Sequence, residues 1–190
     1  METPVKILVV ITDGTEDIEA VVPIDLFRRA NFEVIVAGET KEVTFARGVK
    51  VIPDALLADI SEDNDFDLIF VPGGAKGVEN LLRNQHLGKI LQNQKSKNRW
   101  IASICAGPLV LDKFNILEKE QNITSHPSVR SKLTNYNYLE NNVVVSGRVI
   151  TSRGAGTSID FALKIIELLG GKELADKIAN DIVYNSKSGT

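Results

Sequence analysis

The chain has 190 residues, 43% of them hydrophobic and 25% charged, with a formal net charge of −3. A single globular domain spanning residues 1–190 is expected, able to bury roughly 70% of its unfolded surface, with no electrostatic footprint for nucleic acid or an anionic membrane. One cysteine excludes an internal disulfide and a multi-cysteine metal site, and it fits a reducing, cytoplasmic setting.

Val5 to Ile11 (VKILVVI) reads as a buried strand that follows the start of the chain directly, with no long apolar leader; export and membrane spanning are not expected. Glu16 to Ala30 reads as a helix carrying Ile18, Val21, Val22, Leu26 and Phe27. Strands follow at Glu33 to Ala37, at Val49 to Ile52 and at Asp67 to Val71. Gly77 to Gln94 holds two helices, ending in a polar segment through Arg99. Trp100 to Ile104 is the next strand, Pro108 to Phe114 a short helix, and Gln121 to Thr124 a weak strand. Val143 to Val145 and Val149 to Thr151 form a hairpin across Ser146-Gly147. Ile159, Ala162, Leu163, Ile166 and Leu169 make an apolar helical stripe, with Asp160 and Lys164 paired on the other face and Gly170-Gly171 as the stop. A last helix covers Lys172 to Asn180, and the polar segment from Asn185 to Thr190 is expected to fray.

The strand runs are continuous and β-branched, not alternating, which fits strands covered on both faces. With helices between them they predict a doubly wound α/β sheet, mostly parallel. Ligands in such sheets sit beyond the carboxyl ends of the strands, so the residues that follow each strand carry the functional reading.

After the first strand, Glu16 and Asp17 suit a helix N-terminus as solvated carboxylates. Glu19, between Ile18 and Val21-Val22, is expected to turn inward, and Pro23 four residues later removes a helical hydrogen bond, so the helix should bend or fray there. Pro72-Gly73-Gly74-Ala75 is either a tight turn into a helix or a nest of N–H groups for an oxyanion. Ser103-Ile104-Cys105-Ala106-Gly107-Pro108 has small residues on both sides of the cysteine. That is the pattern of a strand-to-helix nucleophile elbow, with Pro108 opening the helix. A free thiol with its usual pKa is only about 3% thiolate at pH 7, and the helix N-terminus is expected to lower that pKa. An inert buried cysteine is the alternative, but a filler does not call for the small-residue turn. His126 gains weight only if it lies near Cys105, and His86 reads as a helix-surface residue. Arg153, in Arg153-Gly154-Ala155-Gly156, either holds an anion or belongs to a capped helix start.

Taken in order, Gly14-Thr15-Glu16-Asp17-Ile18-Glu19, Asp25 to Ala30, Val71-Pro72-Gly73-Gly74, Ile104 to Pro108, His126-Pro127 and Thr151 to Thr157 resemble the ThiJ/PfpI family over nearly the whole chain. The branch resembled is that of the Parkinsonism-associated deglycase and its small bacterial relatives. The resemblance implies a flavodoxin-like fold with helices on both sheet faces, a homodimer, and a reactive cysteine matching Cys105. It also implies a partner glutamate matching Glu19, oxyanion donors matching the N–H groups of Gly74 and Ala106, and a nearby histidine matching His126. Protease-like members place a histidine directly after the cysteine; here Ala106 stands there, which argues against peptidase activity. The implied activity is of glyoxalase III or deglycase type on a small aldehyde, dicarbonyl or early glycation adduct, with no metal or organic cofactor. The alternative is a redox-sensing stress protein or chaperone regulated by oxidation of Cys105.

Overall fold

In a computed structural model, which describes residues 3–185, the chain runs β1 (Lys6–Ile11), α1 (Asp17–Arg29), β2 (Glu33–Gly38), β3 (Val43–Thr44), β4 (Lys50–Val51) and β5 (Ala55–Leu56). It continues through β6 (Leu68–Val71), α2 (Ala75–Leu81), α3 (Gln85–Ser96), β7 (Trp100–Ile104), α4 (Pro108–Lys113) and β8 (Asn122–Ile123). The last elements are β9 (Asn137–Tyr138), β10 (Val143–Ser146), β11 (Val149–Ser152), α5 (Ser158–Gly170) and α6 (Lys172–Asp181). The expected fraying at Asn185 to Thr190 lies, beyond Asn185, outside the described residues.

The main sheet has the order β10-β11-β7-β6-β1-β2-β5. All its pairings are parallel except the β10–β11 hairpin. Alternate residues of β1 enter two cores. Ile7, Val9 and Ile11 pack with Phe27 of α1 and with Phe161 and Ile165 of α5. Leu8 and Val10 pack with Leu87 and Ile90 of α3 and with Val110 of α4. Helices therefore cover both faces, as the unbroken apolar runs require. Phe70 and Phe161 meet with ring centroids 5.3 Å apart, tying β6 to α5. Chain order reverses at β1, which leads to β2 on one side and lies beside β6 on the other. Such a reversal opens a crevice at the carboxyl end of the sheet.

Several local expectations are corrected. The strand expected at Val49 to Ile52 is only β4, and it pairs with β3 outside the main sheet. The hairpin turn is Gly147-Arg148, because Ser146 still pairs with Val149. Lys164 pairs with Glu167, while Asp160 accepts from Asn142 and Tyr184. Helix α1 continues unbroken past Glu19 with Pro23 inside it. Its buried residues are Glu19, Ala20, Pro23, Leu26 and Phe27, whereas Ile18 and Val21 are 48% and 46% exposed. Glu19 occupies an inward position that the apolar pattern assigned to its neighbours.

Candidate active site

Three loops meet in the crevice: the β1–α1 turn, the β6–α2 turn and the elbow after β7. Cys105, half-buried, has φ +63, a left-handed conformation that costs a non-glycine residue roughly 1–2 kcal/mol. Its surroundings hold it there. Cys105 N–H donates to the Ser152 carbonyl at 3.1 Å, and His126 N–H donates to the Cys105 carbonyl at 2.9 Å. Gly107 N–H closes the turn onto Ile104 O at 2.9 Å, and Ser103 Oγ donates to Val71 O at 2.9 Å. A Cβ on Gly107 would lie 2.2 Å from Ser103 Oγ and 2.8 Å from Val71 O. The small residues around the cysteine therefore answer to space as well as to the turn.

Glu19 comes from the first turn of α1 and is 1% exposed. Its N–H is capped by Glu16 Oε2 at 2.8 Å. Asp17 accepts from Arg47 N–H at 2.9 Å, so neither flanking carboxylate is merely solvated. Glu19 Oε2 accepts from Gly73 N–H at 2.9 Å. A Cβ on Gly73 would lie 2.4 Å from that oxygen and 2.7 Å from Cys105 Cβ, so only glycine lets the β6–α2 turn pass between them. Gly74 takes φ +99, which glycine adopts without steric cost.

The Glu19 carboxyl and the Cys105 thiol flank Gly73, close enough to perturb each other's ionisation. Burial lifts the carboxyl from 4.5 to about 7, opposed by the neighbouring Cys105 thiol, helped by the charge of Glu16 and opposed again by the hydrogen bond from Gly73. The thiol is pushed up to about 12, first by burial and then by an ionised Glu19, against the N–H groups of Ala106 and Gly74. This corrects the expectation that the α4 N-terminus lowers it: α4 has six residues, and burial beside a carboxylate outweighs its dipole. The charge relation reverses when Glu19 holds the proton. The carboxyl then donates to the sulfur and, with the two N–H groups, favours the thiolate.

A cleft of about 800 Å³ opens over these groups, lined among others by Glu19, Gly74, Cys105, Ala106, His126 and Ser128. His126 Nδ1 lies 2.8 Å from Ser128 Oγ and accepts from Ser128 N–H at 3.2 Å. A backbone N–H can only donate, so the neutral ring carries its proton on Nε2. His126 is thus a neighbour of Cys105 by backbone bond and shared cleft. His86 is more tied down than a surface residue, with Nε2 on the Ile60 carbonyl at 2.8 Å.

Arg153 does not line this cleft. The N–H groups of Arg153 and Gly154 are taken by Thr157 Oγ1 at 3.2 and 3.1 Å, which favours the capped helix start over an anion nest. The sequence reading missed Ser128 and the Ser125–Tyr138 contact behind the histidine. Nothing in a lone Ser or Tyr signals a partner across a loop. Among the described residues no three His, Cys, Asp or Glu side chains cluster as metal ligands would, and no helix is long and apolar enough to cross a membrane.

Residues 5–168 match the family model described as the DJ-1/PfpI family. The chain is 42% identical over 170 residues to "Protein DJ-1 homolog B" of Arabidopsis thaliana, covering 88% of this chain but only 39% of that protein. It is 39% identical over 169 residues to the "Glutathione-independent glyoxalase DJR-1.2" of Caenorhabditis elegans, covering 87% of this chain and 89% of that one. The crystal structure of Drosophila melanogaster DJ-1beta superposes with a TM-score of 0.92 at 36% identity, over 97% of this chain and all of that one.

Proposed function

This chain belongs to the DJ-1/PfpI family, and from that premise we propose that it converts reactive dicarbonyls, or their early glycation adducts, to hydroxy acids through Cys105 and Glu19. The observation that carries the reading is the buried Glu19 carboxyl set against Cys105 across Gly73, where burial raises it to about 7. One proton lies between two groups that burial discourages from both being charged.

With methylglyoxal, Glu19 takes the Cys105 proton as the sulfur bonds to the aldehyde carbon. It returns that proton to the new alkoxide, giving a hemithioacetal. The freed carboxylate removes the proton on that carbon, leaving an enediolate; it delivers that proton to the adjacent carbon while the remaining hydroxyl proton passes to the neighbouring oxygen. The product is a lactyl thioester, and water cleaves its C–S bond to give lactate and the original thiol. No electrons leave the substrate, so the reaction calls for no redox cofactor. The N–H groups of Gly74 and Ala106, with His126 Nε2–H, face developing negative charge on oxygen or sulfur. The C. elegans relative is named a glutathione-independent glyoxalase, which agrees with a thiol supplied by the protein itself. Cys105→Ala should abolish lactate formation from methylglyoxal; equal consumption by variant and parent overturns the reading.

A second reading, oxidation sensing in stress protection, draws on the same sulfur. The N–H groups of Ala106 and Gly74 and a protonated Glu19 converge on it and would also hold a sulfinate's oxygens. Intact mass after mild peroxide tests this: no gain of two oxygens at Cys105, or a gain unaffected by Glu19→Ala, removes it. We further propose a cytoplasmic homodimer built from a single domain. Ile18, Val21, Val49 and Ile52 are exposed. Arg47 N–H bonded to Asp17 and Ala46 N–H bonded to Thr15 carry the loop before Val49 to the start of α1.

A further inference from the structure

His126 sits in a strap between β8 and a 3-10 turn at Pro127–Lys132. The strap reaches the elbow through the backbone, His126 N–H to Cys105 O at 2.9 Å. On its far side, Tyr138 Oη donates to the Ser125 carbonyl at 2.8 Å. Ser125 is fully buried, and its Oγ donates to the His126 carbonyl at 3.0 Å while lying 3.4 Å from Tyr138 Oη. Tyr138 is itself fixed. It is in parallel register with Ile123, the next residue bonds back through Leu139 N–H to Ile123 O at 2.8 Å, and the Arg130 guanidinium covers its ring at 4.7 Å. Arg130 is paired with Glu140 at 3.2 Å.

We propose that Tyr138 is a positioning residue for this site: through Ser125 it fixes the His126 strap, which pins the Cys105 carbonyl and keeps the strained elbow in place. The inference rests on Cys105 being the reacting group. A hydroxyl donated to a buried carbonyl is costly to remove without replacement, so losing it frees the strap. The elbow, at φ +63, then has less to hold it against relaxation. As it relaxes, the sulfur drifts from the N–H groups of Gly74 and Ala106, and the thiolate loses stabilisation.

The test needs no turnover. Cys105 alkylation by iodoacetamide is followed across pH, and hydrogen exchange is read at the His126 amide. Tyr138→Phe should slow alkylation at a given pH by on the order of tenfold, move its pH midpoint upward, and speed His126 exchange by a similar factor. Tyr136→Phe is the control. It removes a hydroxyl of the same loop whose partner is Asp112, and both readouts should stay within about twofold of the parent. If Tyr138→Phe does not fold, Arg130→Ala, which strips the ring's cover, is read in its place with the same signs. Unchanged alkylation in Tyr138→Phe overturns the proposal, whether or not exchange changes; so does an equal effect of Tyr136→Phe. Failure of the parent to consume methylglyoxal would strike the proposed chemistry and leave this comparison intact.

Discussion

Replacing Glu19 by Gln separates what the carboxyl does for the fold from what it does for the chemistry. Glutamine keeps the shape, its oxygen can accept from Gly73 N–H, and its amide can donate to the sulfur; it cannot ionise. Burial holds Glu19 at about 7 against an ordinary 4.5. Between those two values the folded protein keeps a proton that the unfolded chain releases, so stability is lost as pH rises through that window. At about 1.4 kcal/mol per pH unit, the loss reaches roughly 3 kcal/mol above pH 7. Glu19→Gln should match the parent in urea unfolding at pH 4 and exceed it by about 3 kcal/mol at pH 8, a Tm gain on the order of 5–10 °C. Its thiol, no longer facing a carboxylate, should alkylate with a lower pH midpoint. Methylglyoxal turnover should nonetheless fall by at least about 100-fold, because no group remains to move the proton. A stability difference that does not depend on pH, or a midpoint that rises, refutes the reasoning.

Gly73→Ala forces a Cβ to within 2.4 Å of Glu19 Oε2 and 2.9 Å of Ile104 O; a loss of about 1–3 kcal/mol in urea unfolding, with a changed alkylation profile, is expected. Gly107→Ala should cost a similar amount, and Ser103→Ala should not rescue it, because the Val71 and Ile104 carbonyls remain at 2.8 and 2.9 Å; full rescue in the double variant contradicts the packing account. Gly171→Ala meets no neighbour within 4 Å but sits at φ +92, ψ 158, so it should cost about 1–3 kcal/mol from backbone conformation alone and leave Cys105 alkylation untouched.

The parts of this fold that a sequence displays are those with a local cause. Ser103-Ile104-Cys105-Ala106-Gly107-Pro108 shows its turn because crowding at the elbow admits only small side chains, and β1, β6 and β7 show themselves because both faces are buried. Glu19 was legible as an acid among apolar residues. The exposure of Ile18 and Val21 was not, because the phase of α1 is set by contacts with α5 and the sheet rather than by its own pattern. The edge strand β5 is two residues long and pairs only with the end of β2, so it has no periodicity to read. At Arg153 the sequence leaves two readings open, because the Thr157 hydroxyl that occupies the backbone donors beside it gives no sign in the sequence of which way it points.

Three features that oppose stability meet within a few ångströms: a left-handed cysteine, a buried ionisable carboxyl, and a glycine at van der Waals limits between them. The strands of the sheet are built from other residues, although Cys105 also packs against both cores. Left-handed residues and close-packed glycines also occur elsewhere in the fold; here they adjoin a buried ionisable carboxyl, and the three come from three different strand ends. Strain of this kind persists where surrounding structure over-determines it, and it gathers at functional sites. Each feature also depends on another. The Gly73 N–H satisfies Glu19, Glu19 determines the charge facing the thiol, and the elbow puts the thiol within reach of Glu19. A change that relaxes one member should therefore stabilise the fold and disable the site together. That is the behaviour expected of Glu19→Gln, and it distinguishes a built site from a chance gathering of polar groups.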